Sequence, residues 1–225
     1  MGCPLKQGGG LYERLSITAV LLAAGRGQRM GERPKPLLEL GGVPLIRRLL
    51  MALSSAGVDQ VVVVTGGPHE AAIEAAIADF PLTLAHTGQT QGRQVDSVRA
   101  GLRHVPATAD AVMMVLCDQP LLNGDDLGAL IRAYKQRGPA QVVVPRVDGR
   151  RGNPVILAAA LCDGILAGGE DVGVRQWMEA HLEAVHFFDS DNRHFVEDVD
   201  TDADLDAFAR RYGHALKWPQ HLSTA

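Results

Sequence analysis

Apolar runs and amphipathic stretches alternate along the chain. Short, β-branched-rich runs at Ile17–Ala23, Val61–Thr65, Leu82–Ala85, Ala111–Cys117 and Gln141–Val144 predict buried strands. Between them the apolar positions recur at helical spacing. That predicts helices over Pro44–Ser55, Glu70–Ile77, Asp96–His104, Gly124–Arg137 and Val172–Glu179. Strands alternating with helices mean βαβ units, hence a three-layer α/β fold with a doubly wound, mostly parallel sheet. Beyond residue 145 the pattern loosens. A polar turn from Arg146 to Pro154 leads into Val155-Ile156-Leu157, and the apolar patch Val185–Phe188 precedes polar Asp189–His194. Then come Phe195-Val-Glu-Asp-Val-Asp200 and a final helix predicted over Asp204–Tyr212. This second half reads as a small lobe laid over the sheet.

In an open parallel sheet, ligands sit outside the carboxyl ends of the strands. The loops to watch therefore follow strands: 25–35, 65–69, 86–93 and 118–122. The first is the richest. It reads Gly25-Arg26-Gly27-Gln28-Arg29-Met30-Gly31, then Pro34-Lys35-Pro36. Glycines let backbone approach a ligand closely, and the N–H groups of such a loop hold phosphate oxygens. Arg26, Arg29 and Lys35 add the positive charge a triphosphate needs. The loop is not a P-loop, because Glu32 follows Gly31 and Pro36 follows Lys35. Nor is it the dinucleotide fingerprint. Gly25, Gly27 and Gly31 are spaced one residue too widely, and the second strand ends in Thr65-Gly66-Gly67 without an acid for ribose.

Composition narrows the classes. With 225 residues, 46% hydrophobic and 21% charged, the chain suits one globular domain. We expect a flexible extension over 1–15, the domain over 16–216 and a loose tail over 217–225. A net charge of −4 and 4% aromatic residues argue against a nucleic-acid partner. The cysteines, Cys3, Cys117 and Cys162, are far apart and odd in number. They form neither zinc spacing nor a disulfide framework, which fits a reducing cytoplasm. No apolar run reaches bilayer length, and Met1–Gly10 lacks a signal-peptide core, so no membrane association is expected. Met1-Gly2-Cys3 lacks the Ser or Thr of a myristoylation signal, since Lys6 stands there.

Two acids complete the candidate chemistry. Asp118 follows the strand Ala111–Cys117 directly, so its carboxylate points into the crevice, where magnesium shares carboxylate and phosphate oxygens. A turn-capping Asp before proline is the structural alternative. Asp198-Val199-Asp200-Thr201 places two acids on one face of an expected strand, and Asp200 also suits a helix N-cap. Asp96 and Ser97 are candidate caps of the helix that follows Gly92-Arg93-Gln94.

Leu22-Ala23-Ala24-Gly25-Arg26-Gly27-Gln28-Arg29-Met30-Gly31 with Lys35 resembles the signature of the MobA-like nucleotidyltransferases. Asp118-Gln119-Pro120 resembles that family's Asp-x-Pro, and Asp198-Val-Asp-Thr201 its Asp-Ile-Asp-Thr ending, with Asp202-Ala203 departing from the usual Pro-Glu. Gly152-Asn153-Pro154 resembles its Gly-x-Pro turn and Asp171-Val-Gly-Val-Arg175 its Asp-x-Gly-x-Arg segment. The likeness covers about residues 17 to 210. Ala23-Ala24 is similar to the cytidylyl branch, where guanylyl-transferring relatives carry Leu-Ala-Gly-Gly. Most of all the chain resembles the molybdenum cofactor cytidylyltransferases.

The resemblance implies a Rossmann-like fold and Mg2+-dependent transfer from CTP to the terminal phosphate of molybdenum-bound molybdopterin. Pyrophosphate would be released and the cytosine dinucleotide cofactor passed to an apo molybdenum hydroxylase. It implies nucleotide contacts at Leu22, Ala23, Ala24, Gly25, Arg26, Gly27, Arg29, Lys35, Thr65, Gly66, Gly92 and Ser97. The catalytic set would be Lys35, Arg29 and Asp118, with metal on Asp118 and Asp200. Acceptor contacts would come from Gly152, Asn153, Pro154 and Arg175 in the second-half lobe. Three alternatives stay open: a GTP-using relative, a 2-C-methyl-D-erythritol 4-phosphate cytidylyltransferase, and a non-catalytic carrier of the molybdenum cofactor. The segment from Gly92 to Val98 is similar to the methylerythritol branch, but the His-Asp-Ala-Ala-Arg of that branch is replaced by Cys117-Asp118-Gln119-Pro120.

Overall fold

The computed structural model describes residues 14–88 and 93–222. In chain order the strands are β1 (Ile17–Leu22), β2 (Glu39–Leu40), β3 (Val43–Pro44), β4 (Gln60–Thr65), β5 (Thr83–His86), β6 (Ala111–Leu116), β7 (Val142–Val147), β8 (Arg150–Arg151), β9 (Val155–Ala158), β10 (Val185–Asp189) and β11 (Leu216–Lys217). The helices are α1 (Leu45–Ser55), α2 (Glu70–Ile77), α3 (Gln94–Leu102), α4 (Gly124–Lys135), α5 (Leu161–Ala167), α6 (Val174–Ala180) and α7 (Asp202–Tyr212).

The main sheet runs β10–β7–β9–β6–β1–β4–β5, with β8 folded back on β7. Strands β6, β1, β4 and β5 are parallel, as are β7 and β10; β9 lies antiparallel between β6 and β7. The expected mostly parallel, doubly wound sheet is thus the one observed. Its strands are buried on both faces, which is why they read as unbroken apolar runs. Alternate residues go to opposite cores. Ile17, Ala19 and Leu21 join the core beneath α1, α2 and α4, while Val20 joins the one beneath α3, α5 and α6. Helix α1 buries Leu45, Ile46, Leu49, Leu50 and Leu53 as one stripe. Helix α4 starts on a capping box in which Asn123 accepts from Asp126 N–H and Asp126 from Asn123 N–H.

A third, smaller core lies apart from these. Strands β11, β2 and β3 form an antiparallel sheet, and with α7 they enclose Met30, Leu38, Leu45, Val199, Phe208 and Leu216. Met30 belongs to the glycine-rich loop and Val199 neighbours Asp200, so one cluster seats both.

Several local expectations shift. Helix α3 begins at Gln94, so Asp96 and Ser97 lie in its first turn and Arg93 holds the N-cap position without a side-chain cap. Residues 198–200 are not a strand but extended chain, held by Val199 N–H on the Asp118 carbonyl at 2.9 Å. Part of the expected tail makes contacts with the domain. Lys217 pairs with Glu39, and Leu222 packs on the main core. The expected N-terminal extension lies almost wholly outside the described residues. Among those described, no helix is long and apolar enough to cross a membrane.

Truncating the centre of the small core separates its role from global stability. Phe208→Ala should cost about 3–5 kcal/mol. Its first sign should be faster amide exchange at Met30 and Leu38, read by hydrogen-exchange mass spectrometry, while β1 and β6 stay protected.

Candidate active site

From β1 the chain winds outward to β4 and β5, then crosses back to β6 on the other side of β1. Connections therefore leave β1 and β6 in opposite directions, and a crevice opens at their carboxyl ends. A cavity of about 470 Å³ fills it. Its walls are the loop from Leu22 to Arg29, Lys35 and Pro36, Gln94 and Ser97 of α3, the segment Leu116–Asp118, and Asp200.

The loop is shaped by its own backbone. Gly27 has φ +60°, and a Cβ there would lie 2.0 Å from the Arg33 carbonyl oxygen, so only glycine fits. The Gly27 carbonyl accepts from Met30 N–H at 2.8 Å and Glu32 N–H at 3.0 Å. Met30 is wholly buried, which leaves Arg26 and Arg29 exposed beside it. Arg33 turns away, donating to the Met30 carbonyl and to Asp202 at 2.7 Å each and lying over the Trp218 ring. From the neighbouring turn, His69 Nε2–H donates to the Glu32 carbonyl at 2.6 Å. Since that carbonyl only accepts, the Nε2 tautomer is required.

The two acids meet at the cavity floor. Lys35 Nζ makes a close ion pair with Asp200 Oδ1 and sits 3.9 Å from Asp118 Oδ2. Arg29 reaches Asp200 Oδ2 at 3.4 Å. Asp200 is not the helix cap. Thr201 caps α7 in a box with Asp204, whose Oδ2 accepts from Asp200 N–H at 3.0 Å, so the Asp200 carboxylate is left for the cavity. Burial works to raise the Asp204 carboxyl, but hydrogen bonds from Thr201 and from the Asp200 and Thr201 N–H groups hold it below the usual range. At Asp118 burial prevails. It pushes the carboxyl up to about 6, with Asp200 and Asp198 pushing the same way and Lys35 pulling down. Asp118 Oδ1 is buried with no hydrogen-bond partner among the described residues. A desolvated carboxylate oxygen lacking a partner, beside a second carboxylate, fits a hard divalent cation. Cys117 alongside is also buried, and its thiol is pushed well up, which removes it as a nucleophile at neutral pH.

A second cavity, about 600 Å³, adjoins the first and shares Leu22, Gln94 and Leu116 with it. Its floor is apolar, with Val98, Met114, Val144, Val155 and Met178, and Arg93, Arg151 and Arg175 are among its walls. Gly152 and Asn153 also line it. Their turn is fixed from behind: a Cβ on Gly152 would lie 2.3 Å from the Phe195 carbonyl oxygen. Buried Gln119 donates from Nε2 to the carbonyls of Phe195 at 2.9 Å and of Asn153 and His194 at 3.3 Å. Arg175 pairs with Glu179 at 3.0 Å, and Pro154 is buried behind the wall.

Most of the residues singled out from the sequence converge here. Leu22–Gly27, Arg29, Lys35, Ser97, Asp118 and Asp200 line the first cavity, and Gly152, Asn153 and Arg175 the second. Thr65 and Gly66 line neither. The crevice opens between β1 and β6, whereas β4 lies on the far side of β1; Thr65 is buried and donates to Glu74 Oε1 at 2.8 Å. Gly66 packs behind the loop, where a Cβ would meet Ala24 Cβ at 3.6 Å. Gly92 lies outside the described residues. Gln28, Pro36 and Gln94 line the first cavity without having been singled out, as does the bracing Gln119 for the second; only their places beside Arg29, Lys35, Ser97 and Asp118 hinted at them.

Residues 19–185 match the MobA-like NTP transferase domain. The chain belongs to this family. It carries a nucleotidyltransferase domain. Among relatives, the transferase is 33% identical over 172 residues to the bifunctional protein GlmU of Sorangium cellulosum, a match covering 74% of this chain and 35% of that protein. It thus spans about a third of the length of that relative. It is 27% identical over 190 residues to nicotine blue oxidoreductase of Paenarthrobacter nicotinovorans, covering 82% and 92% of the two chains. The crystal structure of Rv0371c from Mycobacterium tuberculosis superposes with a TM-score of 0.73 at 26% identity, covering 87% of this transferase and 98% of that protein. A complex of the same mycobacterial protein with manganese gives 0.70 at 25% identity over 88% and 100%.

The raised carboxyl has a consequence for the metal-free transferase. Below pH about 4 Asp118 is protonated in the folded and unfolded chains, above about 6 it is ionised in both, and between them only the folded chain holds the proton. Stability contributed by this group therefore falls as pH rises through that window, by on the order of 3 kcal/mol. Urea denaturation in chelator should show Asp118→Asn gaining on the natural chain between pH 4 and 6 and holding its lead at pH 8. Equal pH profiles for the two would refute the raised carboxyl.

Proposed function

We propose that this transferase moves the cytidylyl group of CTP to the terminal phosphate of molybdenum-bound molybdopterin, with Mg2+ and release of pyrophosphate. The observation that carries the reading is the pair of adjoining cavities. One has a cationic glycine-rich loop facing two carboxylates, and the other an apolar floor with arginines in its walls. The first suits a triphosphate. The second suits a flat heterocycle bearing an anionic group, because apolar walls bury the ring and guanidinium groups hold phosphate oxygens. Leu22, Gln94 and Leu116 at the shared border would stand where the two substrates meet.

On this reading Arg26, Arg29 and the loop amides hold the β- and γ-phosphates, and Lys35 moves from Asp200 towards the α-phosphate. A divalent cation held by Asp118 and Asp200 would supply charge to the α-phosphate and the attacking oxygen. A phosphate monoester is already largely ionised at neutral pH, so the chain's own residues need only orient and neutralise it. Gln94 and Ser97 bound the nucleoside, and the Gly152–Asn153 turn, braced by Gln119, orients the acceptor. Ala23-Ala24 favours CTP over GTP.

The match to a protein named as an oxidoreductase, over 82% of this chain and 92% of that one, favours a second reading, redox chemistry on a planar heterocycle. Against it, the loop has neither the dinucleotide glycine spacing nor an acid at the end of β4.

Pyrophosphate release decides. With magnesium, molybdenum cofactor and each nucleoside triphosphate in turn, CTP alone should support turnover. Release with GTP would move the transferase to the guanylyl branch, and release with methylerythritol phosphate as acceptor to that branch. Cofactor binding without release would mean a carrier, and NAD(P)H consumption without release would favour redox chemistry. Asp118→Asn should lower kcat by about 10³-fold or more with the fold intact. Lys35→Ala should weaken CTP binding by about tenfold with a smaller loss of kcat, measured by calorimetry and initial rates. Unchanged CTP affinity would remove Lys35 from the phosphate site.

A further inference from the structure

Away from both cavities, α2 meets the carboxyl ends of β4 and β5. Glu70 and Glu74 stand one helical turn apart on α2, so their side chains share a face. His86 ends β5 and turns its ring towards them. Its Nδ1 lies 2.5 Å from Glu70 Oε1 and 3.5 Å from Glu74 Oε1, and the three ligand atoms all lie within 4.8 Å of one another. The hydroxyl of Thr65, which is fully buried at the end of β4, donates to Glu74 Oε1 at 2.8 Å and lies 3.3 Å from His86 Nδ1.

One ring nitrogen thus faces three oxygens: Glu70 Oε1, Glu74 Oε1 and Thr65 Oγ1. A single N–H can serve one of them, and the Thr65 hydroxyl already serves Glu74. Two carboxylates held this close repel each other, and one shared imidazole proton offsets that only partly. A divalent cation answers both deficits. We propose that Glu70, Glu74 and His86 form a second metal site, separate from Asp118 and Asp200, that takes a zinc-class transition ion.

The donor set selects the ion. Imidazole nitrogen with carboxylate oxygen suits zinc or cobalt, whereas magnesium wants oxygen alone and keeps its waters. Ligands around a tetrahedral zinc sit about 3.4 Å apart at bond lengths near 2.1 Å. The present spacings reach that with small rotations of the glutamates. Thr65 would then be the outer partner that orients Glu74. All three ligands are partly exposed, so water can complete the coordination. The ion would fasten α2 to the end of β5, behind the turn whose His69 holds the Glu32 carbonyl of the phosphate loop. Its role is therefore structural.

The test uses untagged full-length protein carrying Asp118→Asn and Asp200→Asn, which removes the nucleotide-side ligands. Zinc calorimetry should give one equivalent bound, with millimolar magnesium unable to displace it. Cobalt(II) should give visible d–d bands of a four- or five-coordinate site. Adding His86→Ala should abolish the bands and weaken zinc by at least about tenfold. Adding Glu74→Gln, which keeps an acceptor for Thr65, should weaken zinc similarly while melting without metal is unchanged. Zinc should raise the melting temperature of the double variant but not of the His86→Ala triple variant. No zinc binding by the double variant, or binding that His86→Ala leaves unaltered, would overturn the site and leave a proton on His86 as all that joins the cluster.

Discussion

The site depends on one small hydrophobic cluster outside the main sheet. Met30, Leu38 and Leu45 come from one end of the chain and Val199, Phe208 and Leu216 from the other, and none of them lines either cavity. Each contributes burial worth about 1.5–3 kcal/mol. Their effect is positional. Burying Met30 fixes the glycine-rich loop from below, and burying Val199 fixes the segment that carries Asp200. The bond from Val199 N–H to the Asp118 carbonyl then ties that segment to the end of β6. Two acids 82 residues apart in the chain are thereby held on one cavity floor.

On that floor the charges are arranged to be rearranged. The Lys35 ammonium pairs with Asp200 and approaches Asp118, supplying the positive charge that two neighbouring carboxylates need when nothing else does. Any cation that arrives competes with Lys35 for the same oxygens. The competition is favourable only if the lysine finds another anion, and a polyphosphate supplies one. On the proposed function, metal and nucleotide binding are thus coupled through a single side chain. Burial of Asp118 strengthens the coupling, because a desolvated carboxylate gains more from an ion than an exposed one.

Which parts of this were legible in the sequence follows from what each signal measures. Strands β1, β4 and β6 are buried on both faces and announce themselves as apolar runs, and α2 is bounded as its periodicity predicts, Glu70–Ile77. The two-residue strands β2, β3 and β11 carry no period at all, yet they build the sheet under the loop. Helix α5 is a single short element, Leu161–Ala167, interrupted by Gly164, too brief for a helical stripe. The loop, Asp118 and Asp200, which line one cavity, stood out because glycines with cations and paired acids are conspicuous in composition. The conformation of residues 198–200 was not, since alternation of side chains is shared by a paired strand and by an extended segment held through one backbone bond. Thr65 and Gly66 sit at a strand end like the others, but which strand ends flank the crevice depends on where the winding reverses. That is a property of topology, not of local sequence.

The small core also has a consequence for how the protein is made. The glycine-rich loop leaves the ribosome before α7 and β11, which form the floor beneath it. The parallel core β5–β4–β1–β6 has all its strands by residue 116, long before that floor exists. During synthesis the strands of that parallel core are therefore present before Met30 has a seat and before Asp200 has been added. On the proposed function, nucleotide competence waits for α7 and β11, so a chain that lacks them does not sequester nucleotide.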